Sequence, residues 1–389
     1  MLTHSYYEED PRVRREAESL VAAGRAVDVF ALRREEDSAE GTVNGVHVRR
    51  LDVQRHQGAS LPVYLAEYVE FVLRAALALV RAHRRRRYAL VQVHTLPDFL
   101  AFAALPLRLA GVPVLLDLHE AMPEFFRSRF PRAANPIVHR LLLLQERLSI
   151  AVSTHAITVN DALGRRLTDL GVAPDKVSVV INSPSLARFD PVRVPRRGFA
   201  EDGTVRLIYA GALTPTYELD VAIDAVGRLR TARPDVPIVF DVYGRGDSEP
   251  GLRARAAALG LNGGVVFHGR IPIDDVPAAI ARADIGLAPT RRDQFTDVSL
   301  STKIFEYGAM DKPAVASRLP LVEKTFEPGT VATYEPGSAI ALAAAIGALI
   351  DDAGSRTAAA VATRERVREM SWEREAERYV ALVDRLAAG

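Results

Sequence analysis

Residues 297–317, DVSLSTKIFEYGAMDKPAVAS, are the stretch from which the rest of the sequence can be placed. It opens on short polar side chains: Asp297, Ser299, Ser301 and Thr302. Such side chains accept hydrogen bonds from the free N–H groups in the first turn of a helix. The stretch therefore predicts a short helix that ends before Pro313, followed by a buried strand over 313–316.

Lys303 and Glu306 lie three residues apart, so both project from one face near the start of this helix. A helix N-terminus attracts anions, because its N–H groups and its dipole point outward. A carboxylate one turn further in can accept two hydrogen bonds from a sugar diol. The alternative is a solvated Lys303–Glu306 pair on an ordinary helix, and the spacing alone does not separate the two.

The segment from Lys303 to Pro313, KIFEYGAMDKP, resembles the K-x-x-E-Y-x-A-x-G-K-P signature of retaining glycosyltransferases of the GT-B fold, family four. Asp10-Pro11-Arg12-Val13 is similar to the capsule- and exopolysaccharide-type branch. The resemblance implies an α/β protein with two doubly wound Rossmann-like domains facing a central cleft. It also implies a C-terminal helix that crosses back to the first domain.

Composition limits the function classes. The chain has 389 residues, of which 48% are hydrophobic and 25% charged, as expected for two globular domains. A net charge of +1 argues against nucleic acid as a partner. With no cysteine, disulfides and thiolate sites are excluded. We find neither a signal peptide nor an apolar run that could span a bilayer, so we expect a cytoplasmic protein.

Alternating strand and helix patterns occur in two series, which a Pro-rich segment joins. The pattern predicts two domains, over 1–185 and 204–370, with a linker over 186–203. The resemblance implies that the first domain binds the acceptor, that the helix 371–389 returns to it, and that the second domain binds the donor. Within the first series, Val27–Leu32 and Val46–Leu51 read as strands separated by a polar turn with Asn44-Gly45.

Arg84–Arg87 follow a predicted helix over 62–82. Basic residues at a helix C-terminus complement the helix dipole, so a solvated helix end explains them. The functional alternative is attraction to anionic lipid headgroups, which would place the protein peripherally at the inner membrane face.

Polar clusters follow two predicted strands of the first series. His94 and Asp98 come after one strand, and His119, Glu120 and Glu124 come after the next. Ligands bind at the carboxyl ends of parallel strands, so these clusters are candidate acceptor-side residues. In the family that the sequence resembles, the second His lines the reaction centre, which implies a catalytic role for His119.

In the second series, glycines follow the strands and permit close approach of a phosphate to the backbone. The resemblance implies that Glu306 holds the donor ribose and is also catalytic. The candidate donor-binding residues are Gly211, Leu213, Gly244, Arg245, Arg270, Ile271, Ser301, Thr302, Lys303 and Glu306.

The sequence departs from the family pattern at the expected diphosphate clamp. Relatives carry Arg and Lys where this chain has Ala212 and Tyr217, so Lys303 is the strongest candidate for the diphosphate cation. Relatives also carry a second Glu where this chain has Val298, and we consider Asp297 as its catalytic replacement.

These observations predict a retaining glycosyltransferase that uses a nucleotide diphosphate sugar. The expected acceptor is a glycan, a lipid-linked molecule or a small molecule, in cell-surface polysaccharide or glycoconjugate synthesis. No cofactor or metal is expected, since no Asp-x-Asp stands where a divalent ion would need it. The alternatives are a nucleotide-sugar epimerase or hydrolase, a natural-product glycosyltransferase, and a non-catalytic binding protein.

Overall fold

The computed structural model describes residues 1–56, 61–130, 133–195 and 197–389. The chain forms two compact units, which we call unit 1 and unit 2. Unit 1 consists of Met1–Asn182 and Glu373–Gly389, and unit 2 of Ser183–Trp372. The segment 186–203, predicted as a linker, is grouped with unit 2.

Unit 1 alternates strands with helices from its first residues. Its strands are β1 (Asp28–Leu32), β2 (Glu40–Val43), β3 (Val46–Leu51), β4 (Val91–His94), β5 (Val114–Leu118), β6 (His155–Thr158) and β7 (Val177–Val179). Its first helices are α1 (Pro11–Ala22), α2 (Leu61–Arg86), α3 (Leu105–Leu109), α4 (Met122–Arg129), α5 (Pro136–Val152) and α6 (Asp161–Asp169). The segment 98–104 is a 3-10 helix.

The strands of unit 1 run in the order β1-β3-β2 and β4-β5-β6-β7. Leu2 forms bridges with both Phe30 and Val93, and thereby joins the two sheets. One expectation was incomplete: the segment between β1 and β3 contains strand β2, which pairs antiparallel with β3 across Asn44-Gly45. β1 and β3 therefore pair in parallel, and the tight turn belongs to β2 and β3.

Unit 2 is a second β/α series. Its strands are β8 (Val205–Ala210), β9 (Ile238–Tyr243), β10 (Val265–Gly269), β11 (Ile285–Ala288), β12 (Ala314–Ser317) and β13 (Ala332–Tyr334). Its helices are α7 (Leu219–Ala232), α8 (Glu249–Ala258), α9 (Val276–Ala281), α10 (Thr302–Ala309), α11 (Pro320–Thr325), α12 (Ala339–Asp351) and α13 (Ala353–Glu369). The last helix, α14 (Trp372–Ala388), belongs to unit 1 from Glu373 onward.

The sheet of unit 2 is parallel, with the order β10-β9-β8-β11-β12-β13. The chain winds outward from β8 to one edge, then returns beside β8 and winds to the other edge. This is a doubly wound sheet, as the sequence predicted. Its topological switch point lies between β8 and β11, where such sheets open a crevice for ligands at the carboxyl ends of the strands.

Among the described residues, none of the helices combines the length and the apolar character needed to cross a bilayer.

Candidate functional site

The loops after β8, β9 and β10 pack tightly at one end of the sheet of unit 2. Gly244 has a φ of +137°, and a Cβ atom there would overlap the carbonyl oxygen of Gly211. The Gly244 amide donates a hydrogen bond to the Gly269 carbonyl at 2.8 Å. A larger residue at position 244 would push these loops apart, so glycine is required there by space as well as by φ.

Lys303 reaches the switch point from α10. Its side chain is buried, with the residue 7% exposed, and its Nζ lies 4.0 Å from the centre of the Tyr217 ring and 5.0 Å from that of Tyr209. A Cβ atom at Gly211 would come within 2.5 Å of Lys303 Cε, so the glycine leaves the room that this side chain occupies. The sequence-predicted residues Gly211 and Lys303 are thus in direct contact.

No carboxylate among the described residues pairs with the Lys303 ammonium group, whose contacts are with the two tyrosine rings. The solvated Lys303–Glu306 pair, which the spacing left open, is therefore not what the structure contains. Burying a cation without an anionic partner is costly. The arrangement fits a group that meets its counter-charge on a bound ligand.

The first turn of α10 differs from the prediction. Ser301 is the N-cap, but its hydroxyl accepts no hydrogen bond from the helix and is buried without a hydrogen-bond partner among the described residues. Asp297 lies outside the helix, in the 3-10 turn 296–298, where it pairs with Arg292 at 3.3 Å. The predicted capping by these side chains is therefore wrong. The free N–H groups of the turn remain available beside Lys303 and Thr302.

The remaining donor candidates divide by exposure. Arg245 and Arg270 are exposed and Ile271 is half-buried, in the loops that follow β9 and β10. Leu213 is buried in the hydrophobic core, and its amide donates to the Arg245 carbonyl at 3.0 Å. The structure therefore gives Leu213 a packing role. Glu306 is half-buried, one turn into α10.

Unit 1 holds a buried cluster at the ends of β4 and β5. His94 Nδ1 lies 2.9 Å from Asp117 Oδ2, and His119 Nε2 lies 3.0 Å from the same oxygen. The contact with His119 departs from the ideal N–H direction. The two imidazole rings are stacked with their centres 5.7 Å apart. The predicted pair of histidines is thus brought together, and Asp117 joins them.

Sequence reasoning missed the residues behind this cluster: Glu16, Gln92, Asp117 and Tyr379. Gln92 and Asp117 are flanked by apolar residues inside strands that are fully buried. A polar residue in such a strand is the signal that would have identified them, since buried polar groups require partners.

The other acceptor-side candidates form no hydrogen bond with the two histidines among the contacts of the described residues. Glu124 forms a two-pronged ion pair with Arg166, at 2.9 and 2.8 Å, so its carboxylate serves the structure. Asp98 is fully buried, and neither of its oxygens has a hydrogen-bond partner among the described residues. Burial raises the pKa of Asp98 well above its usual range. Burial also raises the pKa of Glu120, against the opposing charge of Arg12.

His94, Asp117 and His119 also form the one group of His, Asp or Glu, within the described ranges, whose ligand atoms lie within 4.8 Å of one another. Such a group could hold a metal ion. However, both histidine nitrogens face a single carboxylate oxygen at hydrogen-bond distance, so the pairing of these side chains accounts for the spacing without an ion.

A cavity of about 300 Å³ in unit 2 lies away from these residues. It borders Asp284 and Pro313, which precede β11 and β12, and therefore opens at the amino end of the sheet. Its charged groups include two paired sets, Arg197 with Asp284 at 3.0 Å and Arg364 with Asp311 at 3.1 Å. We place the candidate site at the opposite end of the sheet, where Lys303 pairs with no carboxylate of the described ranges.

Two protein-family models match the chain. Residues 10–183 match the family model described as glycosyl transferase 4-like domain, and residues 204–352 match that of glycosyl transferases group 1. The fold and the two family matches identify a protein of the glycosyltransferase class. The chain belongs to the glycosyltransferase families that these two models describe.

Curated relatives are similar at low identity. The chain is 28% identical over 232 residues to 2-deoxystreptamine glucosyltransferase from Streptomyces kanamyceticus, a match that covers 57% of this chain and 59% of the relative. It is 24% identical over 391 residues to D-inositol 3-phosphate glycosyltransferase from Pseudarthrobacter chlorophenolicus, covering 96% of this chain and 90% of the relative.

Solved structures confirm the predicted GT-B fold. Sucrose-phosphate synthase from Thermosynechococcus elongatus matches with a TM-score of 0.77 at 18% identity, covering 97% of this chain and 93% of that chain. Anabaena Alr3699/HepE, in complex with UDP and glucose, matches with a TM-score of 0.73 at 15% identity, covering 98% of each chain. At these identities the likeness establishes the fold alone.

Proposed function

We propose that the protein transfers a sugar from a nucleotide diphosphate sugar to a hydroxyl group of an acceptor, with retention of the anomeric configuration. The observation that carries the proposal is the buried Lys303 ammonium group, which lies at the switch point and pairs with no carboxylate in the part of the chain that the structure describes. UDP and UDP-glucose, named for similar structures, are ligands of the required chemistry.

The donor's diphosphate would supply the missing negative charge. It would meet the Lys303 ammonium group, the free N–H groups of the first turn of α10 and the Ser301 hydroxyl. Glu306 would accept hydrogen bonds from the ribose hydroxyl groups. The loops that carry Arg245, Arg270 and Ile271 would hold the base. Asp297, already paired with Arg292, would act on the sugar only if that pair opened.

The reaction breaks the bond between the anomeric carbon and the diphosphate oxygen. The acceptor oxygen forms a bond to the same carbon on the same face, and its proton passes to the departing diphosphate. Lys303 and the helix N-terminus stabilise the charge that grows on the leaving group. No metal is required by this scheme, and we expect activity to persist after treatment with a chelator.

Lys303→Met should weaken the binding of nucleoside diphosphates about tenfold or more, because a charge-assisted hydrogen bond contributes roughly 1.5–3 kcal/mol. Nucleoside binding should barely change. Calorimetry with UDP, GDP, dTDP and ADP, each compared with its nucleoside, measures the difference. The unliganded variant should unfold at a temperature no lower than the original protein, since methionine removes an unpaired buried charge.

Lys324→Met is the matched control, because Lys324 is an exposed lysine of the same unit. It should bind nucleoside diphosphates normally. Equal losses for nucleoside and nucleoside diphosphate in Lys303→Met would show that Lys303 does not bind the phosphates. Product formation from a nucleotide sugar without any acceptor would instead favour an epimerase or a hydrolase.

We further propose that unit 1 contacts an anionic membrane surface on which a lipid-linked glycan acceptor of cell-surface polysaccharide synthesis is presented. Large apolar side chains are exposed in rows on two helices that both pack on segment 98–104. The rows are Leu65, Val69, Leu73 and Leu77 on α2, and Ile137, Leu141, Leu144 and Leu148 on α5.

Basic side chains flank these rows. Arg84 and Arg85 are exposed at the end of α2, and Arg140 and Arg147 are exposed on α5. Of the predicted basic run, Arg86 is paired with Asp28 at 2.5 Å. Apolar side chains beside exposed arginines suit the interface of an anionic bilayer, where the leucines enter the acyl boundary and the arginines meet the headgroups.

Leu73→Asp should lower binding to phosphatidylglycerol vesicles about tenfold or more, since burying a leucine contributes roughly 1.5–3 kcal/mol. Leu259→Asp, at an exposed leucine of unit 2, should bind as the original protein does. Vesicle co-sedimentation measures both. If the original protein does not bind these vesicles, or if it forms a dimer that Leu73→Asp disrupts, the apolar rows do not bind a membrane.

A further inference from the structure

Residues distant in the sequence converge behind His119 in unit 1. Glu16 comes from α1, Gln92 from β4, Asp117 from β5 and Tyr379 from α14, and all of them are buried. The proposed reaction does not use these residues.

Hydrogen bonds join Tyr379, Gln92 and Glu16, and close polar contacts continue from there to Asp117 and the histidines. The Tyr379 hydroxyl donates to Gln92 Oε1 at 2.5 Å, and Gln92 Nε2 donates to Glu16 Oε2 at 2.5 Å. Glu16 is buried next to the Asp117 carboxyl group, whose charge acts on it. Asp117 Oδ2 faces the histidines His94 and His119. The chain thus extends from the last helix to the candidate catalytic histidine.

Two carboxyl groups in contact, both buried, cannot both be ionised without a large cost, so the pair shares a proton. The proton belongs on Glu16. Asp117 Oδ2 lies beside two imidazole groups, which favour its ionised form. The Glu16 oxygen that accepts a hydrogen bond from Gln92 can do so in a neutral carboxyl group. Burial raises the pKa of Glu16 well above its usual range, and the charge of Asp117 adds to this effect. Burial acts in the same direction on Asp117, but the histidines hold the pKa of Asp117 below its usual range.

An ionised Asp117 decides the protonation of His119. The nitrogen that faces the carboxylate is Nε2, and a lone pair there would be repelled, so the proton lies on Nε2. Both ring nitrogens of His119 are buried, and neither makes a hydrogen bond of standard geometry among the described residues; Nε2 is the nitrogen that lies 3.0 Å from Asp117 Oδ2. Burial lowers the pKa of His119, with Asp117 opposing, and His119 is therefore neutral at pH 7.

We propose that Asp117, supported by a protonated Glu16, is a positioning residue that keeps His119 as the Nε2–H tautomer with Nδ1 free to accept a hydrogen bond from a substrate hydroxyl group. The identity of the substrate in this inference rests on the proposed function. The tautomer of His119 rests on the structure alone. His119 then acts on the sugar or on the acceptor as a neutral acceptor, and not as a cation that stabilises the leaving diphosphate.

Other charged groups surround the chain. Asp10, Arg12 and Arg15 of the α1 region face it, as does Glu120 after β5. Burial lowers the pKa of Arg15 to about 10, so Arg15 remains a cation at pH 7. The alternative role for Glu16 is therefore that of an ionised partner of Arg15. Glutamine at position 16 could replace a protonated carboxyl group, but it could not replace the negative charge of an ionised partner of Arg15.

Nitrogen-15 NMR of the histidine side chains tests the proposal without donor or acceptor. The His119 signals, assigned by their loss in His119→Gln, should show the neutral Nε2–H tautomer at pH 7. Glu16→Gln should keep this pattern, because an amide can accept from Gln92 and donate to Asp117 as a protonated carboxyl group does. Glu16→Ala should lose it.

Turnover provides a second measurement once a donor and an acceptor are known. Glu16→Ala should lower kcat about tenfold with KM changed less than twofold, and Glu16→Gln should recover most of the loss. A charged His119 or an Nδ1–H tautomer in the original protein would overturn the proposal, as would a Glu16→Gln variant as impaired as Glu16→Ala. Correct tautomers in a protein without transferase activity would instead contradict only the proposed function.

Discussion

Replacing His119 with alanine should lower kcat about a hundredfold or more and leave the affinity for nucleoside diphosphates nearly unchanged. The expected loss is that of a single contact made in the transition state. Nucleotide affinity should be retained, because the residues that we assign to the nucleotide lie in unit 2, whereas His119 lies in unit 1. Steady-state kinetics and calorimetry with the same nucleotide measure the two quantities.

The control for this variant is His155→Ala. His155 is also a buried histidine of unit 1, on β6, where its Nε2 lies 2.8 Å from Ser178 Oγ. The control should retain turnover within a few-fold if it folds. A folded His119→Ala variant with near-normal turnover would show that the reacting sugar does not contact His119.

Replacing Glu306 with alanine should weaken the binding of the nucleotide donor about 10- to 100-fold. The reason is that the ribose hydroxyl groups would lose the carboxylate to which they donate two charge-assisted hydrogen bonds. Each such bond contributes roughly 1.5–3 kcal/mol before partial compensation by water. Nucleotides that lack the 2′- and 3′-hydroxyl groups should bind the original protein and the variant equally weakly. Calorimetry with the two forms of the same nucleotide isolates this contribution.

Glu323→Ala serves as the comparison, since Glu323 is an exposed carboxylate on α11 of the same unit. It should leave the affinity for both nucleotides unchanged. An undiminished preference of Glu306→Ala for the ribose form would place the ribose elsewhere and contradict the role that we give to Glu306.

Much of the fold could be predicted because it depends on local patterns. The bounds of β3, Val46–Leu51, were predicted residue for residue, since apolar and polar side chains alternate there and a polar turn precedes it. Strand β2 was missed because it lies at a sheet edge and its sequence, EGTV, shows no alternation of apolar and polar side chains. The alanine-rich helices α12 and α13 were not assigned either, since alanine gives no contrast between faces.

The candidate site was predictable where a residue's role follows from its place in a motif. Lys303, Glu306 and Gly211 could be named from the sequence, because they lie at a helix start and a strand end, and the resemblance to the family motif favoured the ligand-binding role that spacing had left open. Leu213 could not be separated from the binding residues in the same way. Its side chain packs in the core, and nothing in its loop context distinguishes a core leucine from an exposed one.

The sequence by itself therefore determined the two β/α series, the helix that carries Lys303 and Glu306, and the two histidines at strand ends. These features arise from spacing within about twenty residues. Only the tertiary structure decided that Lys303 is buried over two tyrosine rings with no carboxylate of the described residues paired to it, and that Glu16, Gln92 and Tyr379 come together behind His119. Burial and the pairing of charges depend on contacts between distant segments, and both set the energy of a charge in the folded protein.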